Sequence, residues 1–452
     1  EVVSGASAIA NGSGASAGVI NVITKKESND GYIATKFSNN QYYTSVKSNF
    51  DVKGNQIYLL GTHGYNNTQS SLRKTFEKDL YSNNSITVGF DLAKRFGHLD
   101  GFVTIINGEQ EIDDWDGEDP DNVTDVNRQL VGLRYAFKLS ENIDSGIRLN
   151  ASYLNRGYQD PDGDLATDTN TTYKGSHYGL DFYNHIGLGQ DRSLFLGGEF
   201  REESGESSGY LGEWSVDFSR KTQRTTSFYS QLLWKYTWVS TQLGTRVDYY
   251  KANSKQKAAP TYHVSLFRSI PGIDVKVKGT YKTGFKLPSI YQKYSSSGNE
   301  NLKAEESETR EVSFSKEFQK IEFVTTFFDT SLTNKIAQIN WETPYSNIEE
   351  STYRGIEYAV LVRQWGVFDF IRLDYTTLNA VDNNKLAQKV PDYKLSFSTG
   401  ISHDKWTYGF FLIGEGERED YRSIMAAYTY VDISVHYDYN NKTSLFTKLH
   451  NV

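Results

Sequence analysis

Two acidic segments of the chain carry the residues whose type and spacing best fit metal binding. Residues 113–125 and 160–168 each contain at least four aspartates, and the run Asp160-Pro-Asp-Gly-Asp164 alternates its carboxylates around a turn-forming glycine. Calcium takes about six to eight hard oxygen ligands, and carboxylates this dense repel one another unless a cation lies among them. The predicted calcium ligands are Asp114, Asp116, Asp121, Asp160, Asp162 and Asp164, with Asp125 and Asp168 as further candidates. The alternative is a solvated anionic loop surface.

Two aromatic residues flank these aspartates. Trp115 lies inside the first acidic segment and Tyr158 lies just before the second. Their rings could stack on a bulky ligand, which makes both of them candidate ligand-binding residues. The alternative is a pair of singly exposed loop aromatics, which need no function.

Groupings that would support catalysis are weak in this sequence. Glu305, Glu306 and Glu308 lie close together but lack an acid–base partner. His177 and His185 are eight residues apart, on the same face of a predicted strand, without the spacing of a metalloenzyme. Neither a Gly-x-Ser-x-Gly turn nor a phosphate-binding loop occurs. We therefore expect a protein that is not an enzyme and has no organic cofactor.

The composition excludes several classes of protein. The 452 residues include 48 basic and 56 acidic ones, and the formal charge of −8 argues against nucleic-acid binding. No stretch approaches the ~18 consecutive apolar residues of a membrane helix. Because the chain has no cysteine, disulfides and thiolate zinc sites are also excluded. Aromatic residues reach 14%, with 32 tyrosines, and the fold has to account for this excess.

The elements that must position these residues follow a period of two. Between residues 42 and 52, Tyr42, Val46 and Phe50 share one parity, whereas Lys47 and Asp51 share the other. This alternation indicates a strand with one apolar and one polar face. It recurs between residues 31 and 450 in roughly 21 segments of about 9 to 13 residues, so the chain is predicted to be all-β.

The connections between the predicted strands alternate between short and long. Short ones are predicted near Gly54, Gly97, Asn142, Gly189, Lys235, Pro271, Gln319, Gly366, Asp404 and Asn441. Long ones are predicted at residues 64–84, 110–127, 156–176, 203–224, 251–260, 284–308, 333–352, 378–391 and 416–429. Tight turns at one end and long loops at the other are typical of an outer-membrane barrel, where tyrosine and tryptophan form girdles at the membrane interfaces. A soluble β-sandwich or propeller predicts neither pattern.

Four segments resemble the TonB-dependent outer-membrane receptors, in the order in which that family has them. The run from Gly5 to Lys26 resembles the end of the family's plug domain. The run from Gly284 to Glu305, which contains Gly298-Asn-Glu-Asn-Leu, resembles a loop pattern of the family, and Arg354-Gly-Ile-Glu357 resembles one of its strands. Residues 430–452 resemble its penultimate strand. The segments at His63, Gly298 and Arg354 are most similar to the vitamin B12 (cobalamin) transporters within the family.

The resemblance implies a fold and a division of the chain. The expected fold is a 22-stranded antiparallel transmembrane β-barrel, with about 21 strands in this chain and only the end of an N-terminal plug. Residues 1–28 are expected to be the plug end and residues 29–452 the barrel. The last strand is expected to be missing, which would leave the barrel open by one strand or closed by a segment absent from this numbering.

The resemblance also implies a function, a location and partners. We expect active, TonB-dependent import of a scarce bulky nutrient across the bacterial outer membrane, with cobalamin or a related corrinoid as substrate. A ferric-siderophore or other metal-chelate receptor is the alternative, and a passive porin, which lacks a plug, is the rival from a different class. Expected partners are the TonB complex of the inner membrane through a segment absent here, outer-membrane lipid and lipopolysaccharide, and the outer-membrane assembly machinery. In the cobalamin transporters, acidic loops at matching places bind calcium.

Overall fold

The computed structural model describes most of the chain in atomic detail. The described residues are 2–4, 9, 12, 18–20, 31–38, 40–69, 78–94, 97–112, 122–161, 169–211, 214–252, 255–339, 343–420 and 423–452.

One antiparallel sheet curls into a closed barrel and contains nearly all of the described residues. Each long strand pairs with the next long strand along the chain, so the order in the ring follows the order in the sequence. Within the described ranges the ring has 21 strands of seven or more residues. They are β3 (Tyr32–Ser38), β4 (Gln41–Val52), β5 (Asn55–Gln69), β6 (Lys78–Lys94), β7 (Gly97–Glu111), β8 (Val123–Ser140), β9 (Ile143–Asp160), β10 (Thr169–Gly187), β11 (Arg192–Leu211), β13 (Phe218–Lys235), β14 (Ser240–Ala252), β15 (Lys255–Ile270), β16 (Val275–Lys286), β17 (Glu305–Phe318), β18 (Ile321–Ala337), β19 (Ser346–Trp365), β20 (Phe368–Asp382), β22 (Tyr393–His403), β23 (Trp406–Glu415), β26 (Tyr428–Asn440) and β27 (Thr443–Leu449).

The remaining elements are short. They are β1 (Val2–Ser4), β2 (Gly18–Ile20), β12 (Trp214–Ser215), β21 (Lys385–Leu386), β24 (Arg418–Glu419), β25 (Ile424–Met425) and the helix α1 (Ile290–Tyr294). Strands β1 and β2 pair with each other, as do β24 and β25. Among the described residues, no helix has the length and apolar character that a membrane crossing requires.

The predicted asymmetry of the two ends is confirmed. Tight turns at Lys53–Gly54, Glu141–Asn142 and Gln319–Lys320 close hairpins at one end, which we call the turn end. The connection at residues 287–304 lies at the opposite end, which we call the loop end.

Two details of the strand prediction are wrong. The strands are longer than predicted, reaching 20 residues in β11 and β19. Toward the loop end both faces of a strand become polar, so the hydrophobic alternation fades while the backbone pairing continues. The long connection predicted at 251–260 is absent, because Ala252 at the end of β14 pairs directly with Lys255 at the start of β15.

The seam of the ring lies between β3 and β27, and it is the one junction of long strands for which no residue pairing is described. The count of 21 long strands among the described residues agrees with the prediction, and a missing closing strand stays a prediction. Because consecutive strands run antiparallel and their number is odd, these two strands run in the same direction. Every residue of both strands is exposed, which distinguishes the seam from the rest of the wall.

The alternation of side chains assigns an outer and an inner face to each strand. On β10, Tyr178, Leu180 and Phe182 are exposed on the outer face, whereas His177 and Asp181 lie on the inner face. This arrangement gives the apolar outside and polar inside of a membrane barrel.

Aromatic residues gather on the outer surface of the turn end. Trp234 stacks on Tyr236 with 4.2 Å between ring centroids, and Tyr236 in turn lies 6.4 Å from Trp238. Trp406 and Tyr437 form a second such group, 4.4 Å apart. These positions match the interfacial girdles that the tyrosine and tryptophan residues predicted. Tyr42 and Tyr43 lie on β4, also exposed.

Two residues near the N-terminus, Ile9 and Gly12, lie inside the barrel. Ile9 is 4% exposed and packs against the wall at Gly244 of β14. Gly12, also buried, lies beside Arg246 of the same strand. Only part of the strand predicted at residues 19–24 is described, as β2, and residues 21–30 lie outside the described ranges. The domain boundary near residue 28 therefore stays a prediction.

Candidate functional site

The connection between β16 and β17 leaves the wall and crosses the barrel mouth. Strands β15 and β16 pair only as far as His263 opposite Lys282, whereas β16 and β17 stay paired up to Lys286 opposite Glu305. Helix α1, which follows β16, contacts β11 and β13. Because β14 and β15 separate these strands from β16 in the ring, the helix must reach them across the interior.

Local sequence explains how this connection holds its shape. Ser289 caps α1, since its hydroxyl accepts a hydrogen bond from the Gln292 backbone N–H, and the Gln292 side chain accepts one from the Ser289 N–H. After the helix, Gly298 passes so close to Lys293 and Ser295 that a Cβ would lie 2.7 Å from both carbonyl oxygens. The side chain of Asn299 then donates to the Tyr345 carbonyl oxygen at 3.0 Å. The Gly298-Asn segment is thus a brace that positions α1.

Aromatic side chains meet under this brace. Tyr291 of α1 lies 6.0 Å from Tyr173 of β10 and 6.4 Å from Tyr345, measured between ring centroids. Two lysines lie over the ring of Tyr294: the Lys221 Nζ at 4.9 Å and the Lys293 Nζ at 5.5 Å from its centroid. We call these residues the mouth cluster: Tyr173, Lys221, Tyr291, Lys293, Tyr294 and Tyr345.

Partial burial changes the ionisation of the α1 side chains. Burial raises the pKa of the Tyr291 phenol, and the neighbouring Tyr173 and Tyr345 add to that rise. Burial also lowers the pKa of the Lys293 ammonium, against which Glu300 acts in the opposite direction. The cluster combines phenol rings with lysine side chains, a surface suited to stacking and to hydrogen bonding with a large ligand.

The structure describes three of the predicted site residues, Asp160, Tyr158 and the further candidate Asp125. Asp160 is 4% exposed at the end of β9, opposite Thr169. Tyr158 is half-buried and lies between Thr124 of β8 and Thr171 of β10. The remaining predicted residues, Asp114, Trp115, Asp116, Asp121, Asp162, Asp164 and Asp168, lie outside the described residues.

The second acidic segment begins on the same inner face as the mouth cluster. Along β9 and β10, the opposed pairs run from Asp160 and Thr169, through Tyr158 and Thr171, to Arg156 and Tyr173. Tyr158 is thus a diagonal neighbour of Tyr173 on one face. Asp125 has the opposite parity to Thr124 and is exposed beside Gly157, so it points away from Asp160.

Glu305, one of the other residues that suggested chemistry, has structural partners. The carboxylate of Glu305 accepts a hydrogen bond from the Ile336 N–H at 2.7 Å and lies 3.4 Å from the Lys286 ammonium. Within the described ranges, no group of three or more His, Asp or Glu side chains is placed to hold a metal ion. The Glu305 side chain is therefore held by structural contacts.

Sequence reasoning missed most of the mouth cluster. Tyr173 and Lys221 are ordinary members of alternating strands, and only the crossing of α1 brings them to Tyr291. The available signal was the unusual density of Tyr and Lys in the run from Ile290 to Tyr294, inside the segment that carries the family resemblance.

The amino-acid sequence is similar to those of known outer-membrane proteins. A sequence model described as "TonB dependent receptor-like, beta-barrel" matches residues 62–452. The vitamin B12 transporter BtuB of Vibrio cholerae serotype O1 is 26% identical over 210 residues, which is 44% of this chain and 34% of the relative. The matching protein of the same name from Photobacterium profundum is 26% identical over 218 residues, 45% of this chain and again 34% of the relative. The matched segment therefore spans about a third of the length of these curated relatives.

Solved structures share the fold over the whole chain. The copper transporter OprC superposes with a TM-score of 0.84 at 12% identity, covering 100% of this chain and 79% of that one. The siderophore receptor PiuA from Acinetobacter baumannii superposes with a TM-score of 0.78 at 15% identity, covering 100% and 81%. At these identities the likeness concerns the fold alone.

Proposed function

The chain belongs to the TonB-dependent receptor family of outer-membrane β-barrels, and from that premise we propose that it serves the energised import of a cobalamin-type corrinoid. Receptors of this family lie in the outer membrane of Gram-negative bacteria, and this chain does too. The family consists of receptors and transporters, not enzymes. The proposed inner-membrane partner is the TonB complex.

The observation that carries the proposal is the mouth cluster, taken together with the relatives. A corrinoid is a large macrocycle with amide side chains, and it needs flat apolar contacts alongside hydrogen-bonding groups. Tyr173, Tyr291 and Tyr345 supply rings with hydroxyl groups from three separate parts of the barrel. The relatives named above are both vitamin B12 transporters, which favours this substrate class over others.

A metal chelate of the siderophore type is the second candidate. The observation in its favour is the pair of ammonium groups, from Lys221 and Lys293, that face the Tyr294 ring. These positive charges would attract an anionic chelate more strongly than they would attract a corrinoid.

A passive porin is the rival from another class. Ile9 and Gly12 of the N-terminal segment lie against the inner wall, and a porin has no such segment in its lumen. Energised import is therefore the better account of the interior.

Binding of candidate ligands to the purified full-length protein tests the substrate class. We expect cyanocobalamin to bind and Tyr291→Ala or Tyr173→Ala to weaken it by about tenfold, or ~1.4 kcal/mol, because each ring is a central contact. Tyr178→Ala is the matched control, since Tyr178 lies on the same strand as Tyr173 but on the outer face, 49% exposed. A titration in which a ferric catecholate binds and cyanocobalamin does not would favour the second candidate.

We also propose that calcium binds between the two acidic segments and orders them beside the mouth cluster. The support is the position of Asp160, buried at the start of the second segment and on the same face as Tyr158 and Tyr173. Neutralising the repulsion between carboxylates would stiffen the segments and reduce the ordering cost of ligand binding.

Calorimetric titration of the metal-free protein tests the calcium proposal. Asp160→Asn combined with Asp164→Asn is expected to weaken calcium binding by about tenfold, or ~1.4 kcal/mol. Asp125→Asn is the control, because Asp125 is exposed on the opposite face. If the double variant binds calcium as tightly as the wild type, or if the wild type releases no heat on titration, the calcium proposal is wrong and the two segments are a solvated acidic surface.

A further inference from the structure

A buried ionic cluster lies on the inner wall where β11, β13 and β14 run side by side. Arg246 is 1% exposed, and its Nε donates to the Asp248 carboxylate at 2.9 Å. Its Nη2 donates to Glu199 at 2.5 Å, and Glu199 also accepts from the Arg201 Nη2 at 2.7 Å. Ser227 donates its hydroxyl to Asp248 at 2.5 Å. We call Glu199, Arg201, Ser227, Arg246 and Asp248 the wall cluster.

A second ion pair lies beside this cluster on the same face. The Arg148 Nε donates to Asp181 at 2.8 Å, and the Tyr229 hydroxyl donates to the other oxygen of Asp181 at 2.6 Å. Together the two groups contain three guanidinium groups and three carboxylates, so they are electrically balanced. The Arg148–Asp181 ion pair is a matched control for the wall cluster, because its described polar contacts are all with residues of the barrel wall.

The wall cluster, in contrast, contacts the N-terminal segment. The carboxylates bind the Nε and Nη2 atoms of Arg246. Its remaining nitrogen, Nη1, lies 3.5 Å from the Ile9 carbonyl oxygen. Gly12 has φ +69°, and a Cβ there would lie 2.8 Å from the Arg246 Nη2 and 3.3 Å from the Arg201 Nη2. Beside them, the Ile9 side chain would lie 3.2 Å from a Cβ on Gly244. Two glycines thus make room for the contact, one on each side.

We infer that the wall cluster is the docking site that holds Ile9 and Gly12 against the barrel wall, so that Arg246 acts as a positioning residue for these two N-terminal residues. Carboxylates on two strands fix the guanidinium plane, which leaves one edge directed at the lumen. This edge of the Arg246 guanidinium group faces the Ile9 carbonyl group. Because residue 12 is a glycine, no side chain there blocks the approach of this guanidinium group. Glu199, Asp248 and Arg246 would then hold Ile9 and Gly12 at the wall.

This inference rests on the proposed import function only for its biological meaning. The docking itself is a property of the resting protein and needs neither ligand nor energy. The alternative is that the cluster merely ties three strands together, in which case the N-terminal segment would be held by other contacts.

Cysteine labelling of the full-length protein separates the two accounts. The 452 residues contain no cysteine, so Ile9→Cys introduces a thiol that reports on its own surroundings. A polyethylene-glycol maleimide is added to the protein in detergent micelles, and the rate of labelling measures how often residue 9 leaves the wall. Arg246→Met with Asp248→Asn removes one charge of each sign from the wall cluster. Arg148→Met with Asp181→Asn does the same to the neighbouring pair.

We expect labelling to become about tenfold faster in the Arg246 and Asp248 background and to stay unchanged in the Arg148 and Asp181 background. Gly12→Ala should also accelerate labelling without altering the barrel wall, which keeps the test valid if the first background folds poorly. Equal rates in all backgrounds, or equal acceleration in both double variants, would overturn the docking role. Failure of cobalamin uptake with intact protection of residue 9 would count against the proposed substrate but leave the docking inference standing.

Discussion

Arg246→Met alone is expected to lower the free energy of unfolding by about 3–5 kcal/mol, the usual cost of leaving a buried charge without its partner. Asp248 is fully buried at 0% exposed, and with Glu199 it would lose the guanidinium group that neutralises it. Methionine fills a similar volume but offers no hydrogen-bond donor. Denaturant unfolding in lipid vesicles, followed by tryptophan fluorescence, measures the change as a shift in midpoint.

The double variant Arg246→Met with Asp248→Asn is the control for this prediction. It keeps the net charge and an acceptor for the Ser227 hydroxyl, so its loss should be much smaller than that of the single variant. If the single variant unfolds at the same denaturant concentration as the wild type, the carboxylates must be solvated, and the wall cluster would not be the buried network described above.

The barrel itself could be predicted from the sequence because the membrane imposes a strong pattern. An outer face in lipid and an inner face in a polar lumen force apolar and polar residues to alternate, as Tyr178, Leu180 and Phe182 do against His177 and Asp181. The tight turns were predictable for the same reason, since the pattern stops sharply at the turn end. At the loop end both faces are polar, and this is where the predicted strand ends were wrong.

The closing of the ring could not be read from the pattern. Counting gave about 21 strands, but whether the first and last of them meet depends on the curvature of the whole sheet. The structure places them as neighbours in the ring, and the further strand that an even number implies stays a prediction.

The candidate site was predicted only where it coincides with a local signal. Asp160 and the neighbouring Tyr158 stood out by composition, and both lie on the inner face that also carries Tyr173. The meeting of Tyr173 with Tyr291 depends on how β16 leaves the wall, and no local pattern encodes that. Apart from Asp160 and Asp125, the predicted calcium ligands lie outside the described residues, so the calcium site stays a prediction.

The wall cluster had a signal that sequence reasoning did not use. Arg246 and Asp248 have the parity of the polar, inward face of β14, and Glu199 and Arg201 have the same relation on β11. Charged residues two apart on an inner face can pair with each other and with the neighbouring strand. Which of them contacts the N-terminal segment depends on the path of that segment, and only the structure gives it.

Energy dependence of uptake is the second large effect that we expect. A plugged barrel excludes its ligand until the N-terminal segment moves, and work from the inner membrane is what the TonB partnership would supply. Cells carrying the full-length gene should therefore accumulate labelled cobalamin, and accumulation should fall to the level of cells without the gene once the inner membrane is de-energised. Surface binding of the ligand should persist, because the mouth cluster is unaffected.

The most direct test of the account is this uptake measurement, made in the same cells with and without an energised inner membrane. Accumulation that requires the energised membrane, and that unlabelled cobalamin but not a ferric siderophore suppresses, is the predicted result. Uptake that continues unchanged after de-energising would contradict active import, and energised uptake of the siderophore with none of cobalamin would contradict the corrinoid assignment.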